Sequence, residues 1–380
     1  MNPRPSVLTY VTEGCSSQDS KNMKNLHMSR RQYIISAGLM TIPFKLSVLP
    51  KFLSLYLKKD ALIAICLLMV FETVITLLIY AVSEKGGLKN NMRGARLKII
   101  SALIAAFLCI KFTLACTEFF YYCSSSLFEG ANRQVFLLTI LPVAFFIGKG
   151  KDRSLGRVAQ TIIPVIYIAL ILNVAFSTTE PVKDNLFPLF NVPFEKTALF
   201  SLRYLFYTGD ALPLIFVGIK ESEKDLKHAF AYVRICLQGL TVVLFYVAFY
   251  SVYGDSLTFI NNVFNRLASF NALTRDLNGL EMLAIISWTF SAVFALGGYA
   301  HALITVSETI FKRKKLAYTA YFAFFILLTT LNFIMTNNLT HFETLFMQSG
   351  FAYLGALSVI IAIIIFTIAF VNKKTKPMPA

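Results

Sequence analysis

Apolar residues run through this chain in long blocks and not in the period-two alternation of β-strands. The blocks fall at approximately 33–57, 61–82, 98–123, 135–148, 158–177, 198–219, 233–253, 281–310, 316–335 and 350–371. Most approach the roughly 20 residues that an α-helix needs to cross a bilayer. Membrane-barrel strands would alternate over only about ten residues. The pattern predicts an all-α integral membrane protein with about ten transmembrane helices. The fourth block is short, and the first and eighth contain breaks or polar ends.

Composition agrees. Hydrophobic residues make up 56% of the 380 and charged residues 15%, against about 25% charged in an ordinary soluble domain. One water-soluble core cannot hide that excess, because cores stop growing at about 250–300 residues. A soluble enzyme and a nucleic-acid-binding domain are excluded. The formal charge of +16 reads as topology: 25 of the 36 Lys and Arg fall in loops and tails on one side and nine on the other. That asymmetry marks the richer side as cytoplasmic, with both termini there and an even number of spans. Attraction to anionic lipid headgroups is a secondary reading. Residues 1–28 are polar, lack the apolar core of a signal peptide, and read as a disordered cytoplasmic tail. Residues 29–372 form one transmembrane domain, and 373–380 a basic cytoplasmic tail.

Two spans carry internal breakers. Span one contains Gly38-Leu39-Met40-Thr41-Ile42-Pro43, and span six contains Thr208-Gly209-Asp210-Ala211-Leu212-Pro213. Glycine tolerates unwound backbone, and proline lacks an N–H and clashes with the preceding turn. The two lie five spans apart, so an odd number of crossings relates them. This is the arrangement of a five-plus-five inverted repeat with broken helices one and six and a ligand site between them. Unpaired N–H groups at a new half-helix N-terminus suit a carboxylate, and freed carbonyls suit an ammonium or a cation. An α-amino acid presents both groups. A plain proline kink at each position is the competing reading.

Ionisable residues at membrane depth are functional candidates by default. Asp210 sits in the span-six break, where it meets a ligand ammonium, binds a proton, or caps the next half-helix. Lys45 either pairs with an acid or, as the favoured reading, snorkels toward the side of Lys51. Lys111 and Glu118 share a face of span three but lie ~10.5 Å apart along it, so each needs a partner on another helix. Glu72 is suited to pair with Lys45 or Lys111. Thr113 and Thr117 are one turn apart and either touch a ligand or bond back to the preceding turn. Trp288 is flanked by Ser287, Thr289 and Ser291, and Gly297 and Gly298 allow close helix approach. His301 reads as a hydrogen-bonded structural group. Cys109, Cys116 and Cys123 read as a soft packing stripe, too far apart to bridge. No cluster has metal-ligand spacing, and no nucleophile elbow, phosphate loop or zinc-protease motif occurs. The expectation is no enzyme, no metal and no cofactor. Segment 255–280, with Phe259, Ile260, Val263, Phe264 and Leu267 at helical spacing, reads as a surface-lying amphipathic helix, either a lid or a connector.

Several short motifs then align with a known family. They are Ser29-Arg30-Arg31-Gln32 before Gly38 and Pro43; Asn185-Leu186-Phe187-Pro188-Leu189; Tyr253-Gly254; and Gly279-Leu280-Glu281 leading into Trp288. Over roughly residues 29–372 the chain resembles the endospore germination permease family, the B subunits of nutrient germinant receptors, within the amino acid–polyamine–organocation transporter superfamily. The resemblance implies a pocket formed by spans one, three, six and eight. It implies a small-molecule germinant, commonly an L-amino acid, and work with a receptor A subunit and a lipoprotein C subunit in the spore's inner membrane, with ion release rather than bulk uptake as the response. By position Gly38, Thr41 and Ile42 match the first break, and Thr208, Gly209 and Asp210 the sixth. Thr113, Thr117 and Thr289 match more loosely. The long tail, Lys45, Lys111 and the scarcity of glycine in the first break depart from the family. The competing function is an amino-acid/cation or proton symporter of the same superfamily.

Overall fold

The computed structural model describes residues 28–126, 133–177, 183–220, 227–260, 263–269, 280–311, 313–337 and 350–371. The tail readings on 1–27 and 373–380, and Gly279 of the last motif, lie outside the described residues.

Seven helices among the described residues are long and apolar enough to cross a membrane. They are α4 (Ala61–Glu84), α5 (Gly94–Ser126), α7 (Asp152–Ser177), α9 (His228–Tyr253), α11 (Leu280–Ile310), α12 (Lys314–Asn337) and α13 (Gly350–Val371). The fourth span, α6 (Arg133–Gly148), is shorter, and spans one and six are each in pieces. The ten spans, and the breaks in the first and sixth, are those the sequence predicts.

Span one starts on a capping box. The Ser29 hydroxyl accepts the Gln32 N–H at 3.3 Å, and the Gln32 side chain accepts the Ser29 N–H at 3.2 Å, so two otherwise orphaned donors are satisfied. Helix α1 (Arg30–Thr41) then stops, because Pro43 has no N–H to continue it. Helix α2 (Pro43–Ser47) and helix α3 (Leu49–Leu57) follow. The junctions Ile42 (φ −80°, ψ −49°) and Val48 (φ −101°, ψ −32°) keep right-handed torsions. Span one is therefore broken twice without being unwound. Gly38 is not the opening point the sequence suggests. It lies inside α1, where a Cβ would stand 2.6 Å from the Gln238 side chain. Its smallness lets span seven approach, and Gln238 Nε2 donates to the Ile34 carbonyl at 2.8 Å.

Span six opens fully. Helix α8 (Phe194–Arg203) gives way to a 3₁₀ turn at Leu205–Tyr207, an extended Thr208 (ψ 164°) and Gly209 at φ +77°. The left-handed torsion explains the glycine, since an L side chain there meets its own backbone. A second half-helix is expected beyond it. The structure instead has a five-residue 3₁₀ turn, Leu212–Phe216, then strand β2 (Ile219–Lys220). Strand β2 pairs in parallel with β1 (Met28–Ser29), Met28 opposite Ile219. Met28 is fully buried in this pairing and not part of a loose tail.

Span eight is the hub, packing on spans three, four, five and nine, while span two packs on span seven. Small residues permit it. A Cβ on Gly148 would stand 2.7 Å from Ala300, and one on Gly297 2.5 Å from Ile147; Met40 presses on Gly298. Cys109, Cys116 and Cys123 are buried and unbridged, as a packing stripe should be. Of the 255–280 segment, residues 261–262 and 270–279 lie outside the described residues. Its described helix α10 (Val263–Ser269) buries Val263, Phe264 and Leu267 against protein, so its apolar face is not offered to lipid.

At the end of the bundle where α3 meets α4, Asp60 is wholly buried. Its two oxygens accept the Phe190 and Val192 N–H groups, each at 2.6 Å. Charge-assisted bonds contribute about 1.5–3 kcal/mol each. Asp60→Ala is expected to lower the thermal midpoint by several degrees and to expose the 183–193 loop to protease. Unchanged melting and cleavage would remove Asp60 from the role of loop anchor.

Candidate functional site

The two breaks face each other around four buried charges. Lys45, just after the Pro43 break, is fully buried and donates to the Thr41 carbonyl at 2.8 Å. Its ammonium also bonds Asp210 and lies 3.6 Å from Glu72. Lys111 of span three donates to the other Asp210 oxygen and sits over the rings of Phe107 and Phe206, at 5.8 and 5.3 Å. The Tyr299 hydroxyl adds a third donor to Asp210 at 3.1 Å. Glu72 Oε2 accepts the Gly209 N–H at 2.6 Å. The formal charges sum to zero, which is the condition for keeping them out of water.

This corrects two expectations. Lys45 does not snorkel; its head turns inward, where two carboxylates and a freed carbonyl hold it. Asp210 is neither open to a ligand ammonium nor used as a cap, because both of its oxygens are engaged by lysines. The cap on span six comes from Glu72 of span two. Its counterpart for span one is Glu118, which accepts from the Ser47 hydroxyl and the Val48 N–H at the second break. Each broken span is thus closed by a glutamate from another helix.

The freed carbonyls of span one are met by protein as well. Ser291 donates to Leu39 at 2.9 Å, Trp288 Nε1 to Pro43 at 2.8 Å, and Tyr246 to Lys45 at 2.9 Å. Trp288 is stacked on Tyr122, ring centroids 3.7 Å apart. Span six is different. Backbone bonding resumes only with Leu212 N–H to Gly209 at 3.1 Å. Among the described residues, the Asp210 and Ala211 N–H groups donate to no backbone or side-chain acceptor, although both residues are buried.

Beside them lies a small cavity lined by Phe44, Lys111, Glu118, Tyr207, Asp210 and Tyr299, with further apolar residues. Its free volume of about 30 Å³ holds water and little else. The site is closed in this conformation. At the end carrying β1 and β2, Arg30, Glu84 and His228 form a latch. Arg30 Nε lies 3.4 Å and His228 Nδ1 2.7 Å from Glu84, and Arg30 Nη2 lies 2.9 Å from His228 Nε2.

The threonines fare unevenly. Thr41, Thr113, Thr117 and Thr208 each bond back to their own helical turn, at 3.2, 3.0, 2.9 and 2.6 Å. Thr289 is the exception, its buried hydroxyl having no partner among the described residues. Ile42 forms the first junction, and its N–H reaches Gly38 at 3.2 Å. Of the nine sequence candidates only Asp210 lines the cavity; Thr208 and Gly209 adjoin it in the opened segment, and Thr41 borders a second, smaller cavity with Glu72 and Gln238. Glu72, Glu118, Lys45 and Lys111 were legible as intramembrane charges, but their mutual arrangement was not. Ser47, Tyr246 and Tyr299 carried no signal at all. His301 holds the Gly148 carbonyl and Asp152, both at 2.8 Å, as a structural histidine does.

Comparison with known proteins follows from this geometry. A family model described as spore germination protein matches residues 46–341. The crystal structure of MhsT in complex with L-phenylalanine superposes with a TM-score of 0.64 at 14% identity, covering 93% of this chain and 94% of that one. At that identity the likeness establishes the fold alone. No curated protein gives a significant sequence match.

Proposed function

The chain belongs to the spore germination protein family and has a transporter fold, and from that premise we propose that it is a receptor subunit whose closed central site binds a small germinant of the L-amino-acid class. As a multi-pass membrane protein of transporter or receptor type it needs a reason to keep polar backbone at membrane depth, where an unmet group costs several kcal/mol. The observation that carries the reading is the pair of adjacent N–H groups at Asp210 and Ala211. The carbonyls of Leu39, Thr41, Pro43 and Lys45 in span one each have a donor, yet these two N–H groups of buried residues have no acceptor among the described residues. Two successive N–H groups form a concavity suited to a carboxylate. The superposing MhsT structure holds an amino acid, which agrees with the same chemistry.

On this reading Thr208, Gly209 and Asp210 present the open backbone, Thr41 lines the neighbouring cavity with Glu72, Ile42 forms the span-one junction, and Thr289 offers an unused hydroxyl. Gly38, Thr113 and Thr117 act through packing and helix geometry. Binding reorganises the open segment, and the change passes to a receptor A subunit and a lipoprotein C subunit in the spore's inner membrane, with both termini cytoplasmic. Ligand binding, not bulk uptake, is the output.

A thermal-shift screen of the purified protein against the twenty L-amino acids, sugars and nucleosides tests this. A ligand at 100 times its Kd stabilises the folded state by about 2.7 kcal/mol. At least one amino acid is expected to raise the melting temperature by several degrees. A panel in which no amino acid shifts it would sink the assignment. Radiolabelled uptake into proteoliposomes carrying this chain alone would favour the symporter instead.

A further inference from the structure

Glu118 stands apart from the other buried acids of the core. Glu72 and Asp210 each face a lysine. Glu118 is 3% exposed and lines the same cavity, but among the described residues no Lys, Arg or His forms an ion pair with it. Its two contacts are donors without charge, the Ser47 hydroxyl and the Val48 N–H. A carboxyl out of water needs a cation or a proton, and Lys111, which also lines the cavity, is already bonded to Asp210. Asp210 cannot supply the matching recognition, since Lys45 and Lys111 already neutralise it.

We propose that Glu118 is the ammonium-recognising residue of the site. The inference rests on the amino-acid reading above and adds the group that reads the ligand's positive end. The ligand's carboxylate accepts from the Asp210 and Ala211 N–H groups, and its ammonium donates to Glu118. Phe44, Leu114, Ala115 and Phe206 line the cavity beside Lys111, Tyr207 and Tyr299, so the favoured class is a small zwitterion with a short apolar side chain. Because the closed cavity has room only for water, the ligand enters as the open part of span six shifts. Glu118 then couples recognition to span one, since the oxygen that meets the ammonium belongs to the side chain that holds the Ser47–Val48 break.

The test uses the full-length protein in detergent, with affinities from thermal shift and calorimetry. The probes are the tightest L-amino acid and its deamino acid, for example L-alanine with propanoate or L-phenylalanine with 3-phenylpropanoate. Glu118→Gln keeps an oxygen for Ser47 and Val48 but loses the charge. It should weaken the amino acid at least about 30-fold, the lower end for stripping one partner from a buried charged pair. The deamino acid should bind wild type weakly and lose nothing in the variant, since it has no ammonium for Glu118 to read and its carboxylate is no longer repelled. Glu118→Asp should recover part of the loss, and it replaces the Gln variant if that variant does not fold. Equal amino-acid affinity in wild type and Glu118→Gln overturns the inference and leaves the proposed function standing. So does stabilisation of wild type, and not of Glu118→Gln, by Na⁺ or K⁺ relative to choline, because Glu118 then holds an inorganic cation. Failure of the wild type to bind any amino acid overturns both.

Discussion

Asp210→Asn should be the most damaging single change in the core, at roughly 3–5 kcal/mol of lost stability. The carboxylate is shared by two buried ammonium groups, Lys45 and Lys111, and by the Tyr299 hydroxyl. An amide oxygen retains a hydrogen bond but no charge, which leaves the lysines uncompensated against Glu72 alone. A second change makes the reasoning specific. Lys111→Met in the Asp210→Asn background removes the surplus cation and should restore part of the melting temperature, although Lys111→Met alone destabilises. The readout is the melting curve of detergent-solubilised protein. A simple sum of the two single losses would show that the charges do not act as one unit.

Gly209→Leu should weaken ligand binding by at least about tenfold while the protein stays in the membrane. Gly209 has φ +77°, where an L side chain costs about 1–2 kcal/mol. The space around it is open, since a Cβ would find only Ile75 at 3.8 Å. Strain and bulk are therefore separable. Gly209→Ala carries the strain alone and should lower the melting temperature modestly. The leucine adds a branched side chain between spans six and two and pushes the Gly209 N–H off Glu72. Amino-acid affinity should fall by at least about tenfold, or ~1.4 kcal/mol. A leucine variant that binds like wild type would separate the open segment from recognition.

Much of the architecture was legible because the bilayer imposes it. Block length predicts spans, Lys and Arg placement suggests sidedness, and two breaker clusters five spans apart point to the repeat and its centre. What escaped was whatever depends on which helix faces which. Gly38 looks like a breaker in one dimension, but in space it is where Gln238 approaches. Pro43 was a true breaker, yet span one keeps helical torsions, and Ser291 bonds the Leu39 carbonyl it frees while Lys45, Trp288 and Tyr246 bond others along the two breaks. No spacing in the sequence reveals that Lys45 and Lys111, 66 positions apart in the chain, meet on one carboxylate. The snorkelling expectation for Lys45 failed for that reason: it weighed water at the membrane surface against hydrocarbon and omitted a partner from span six.

Glu72 and Glu118 show the same limit from another side. Each reads in the sequence as half of an ion pair. In the fold each closes a broken span through a backbone N–H, at Gly209 and Val48. That dual use, a charge for the interior and an acceptor for the backbone, arises only when a second helix is already in place.

The neutrality of the Lys45–Glu72–Lys111–Asp210 group has an electrical consequence. One elementary charge carried across the whole bilayer exchanges about 2.3 kcal/mol with each 100 mV of transmembrane potential. Four charges that sum to zero and travel together exchange almost none. Glu118, in the same cavity, stands outside this cancelling set, so whatever the core's rearrangement exchanges with the potential falls to Glu118 and the group that meets it.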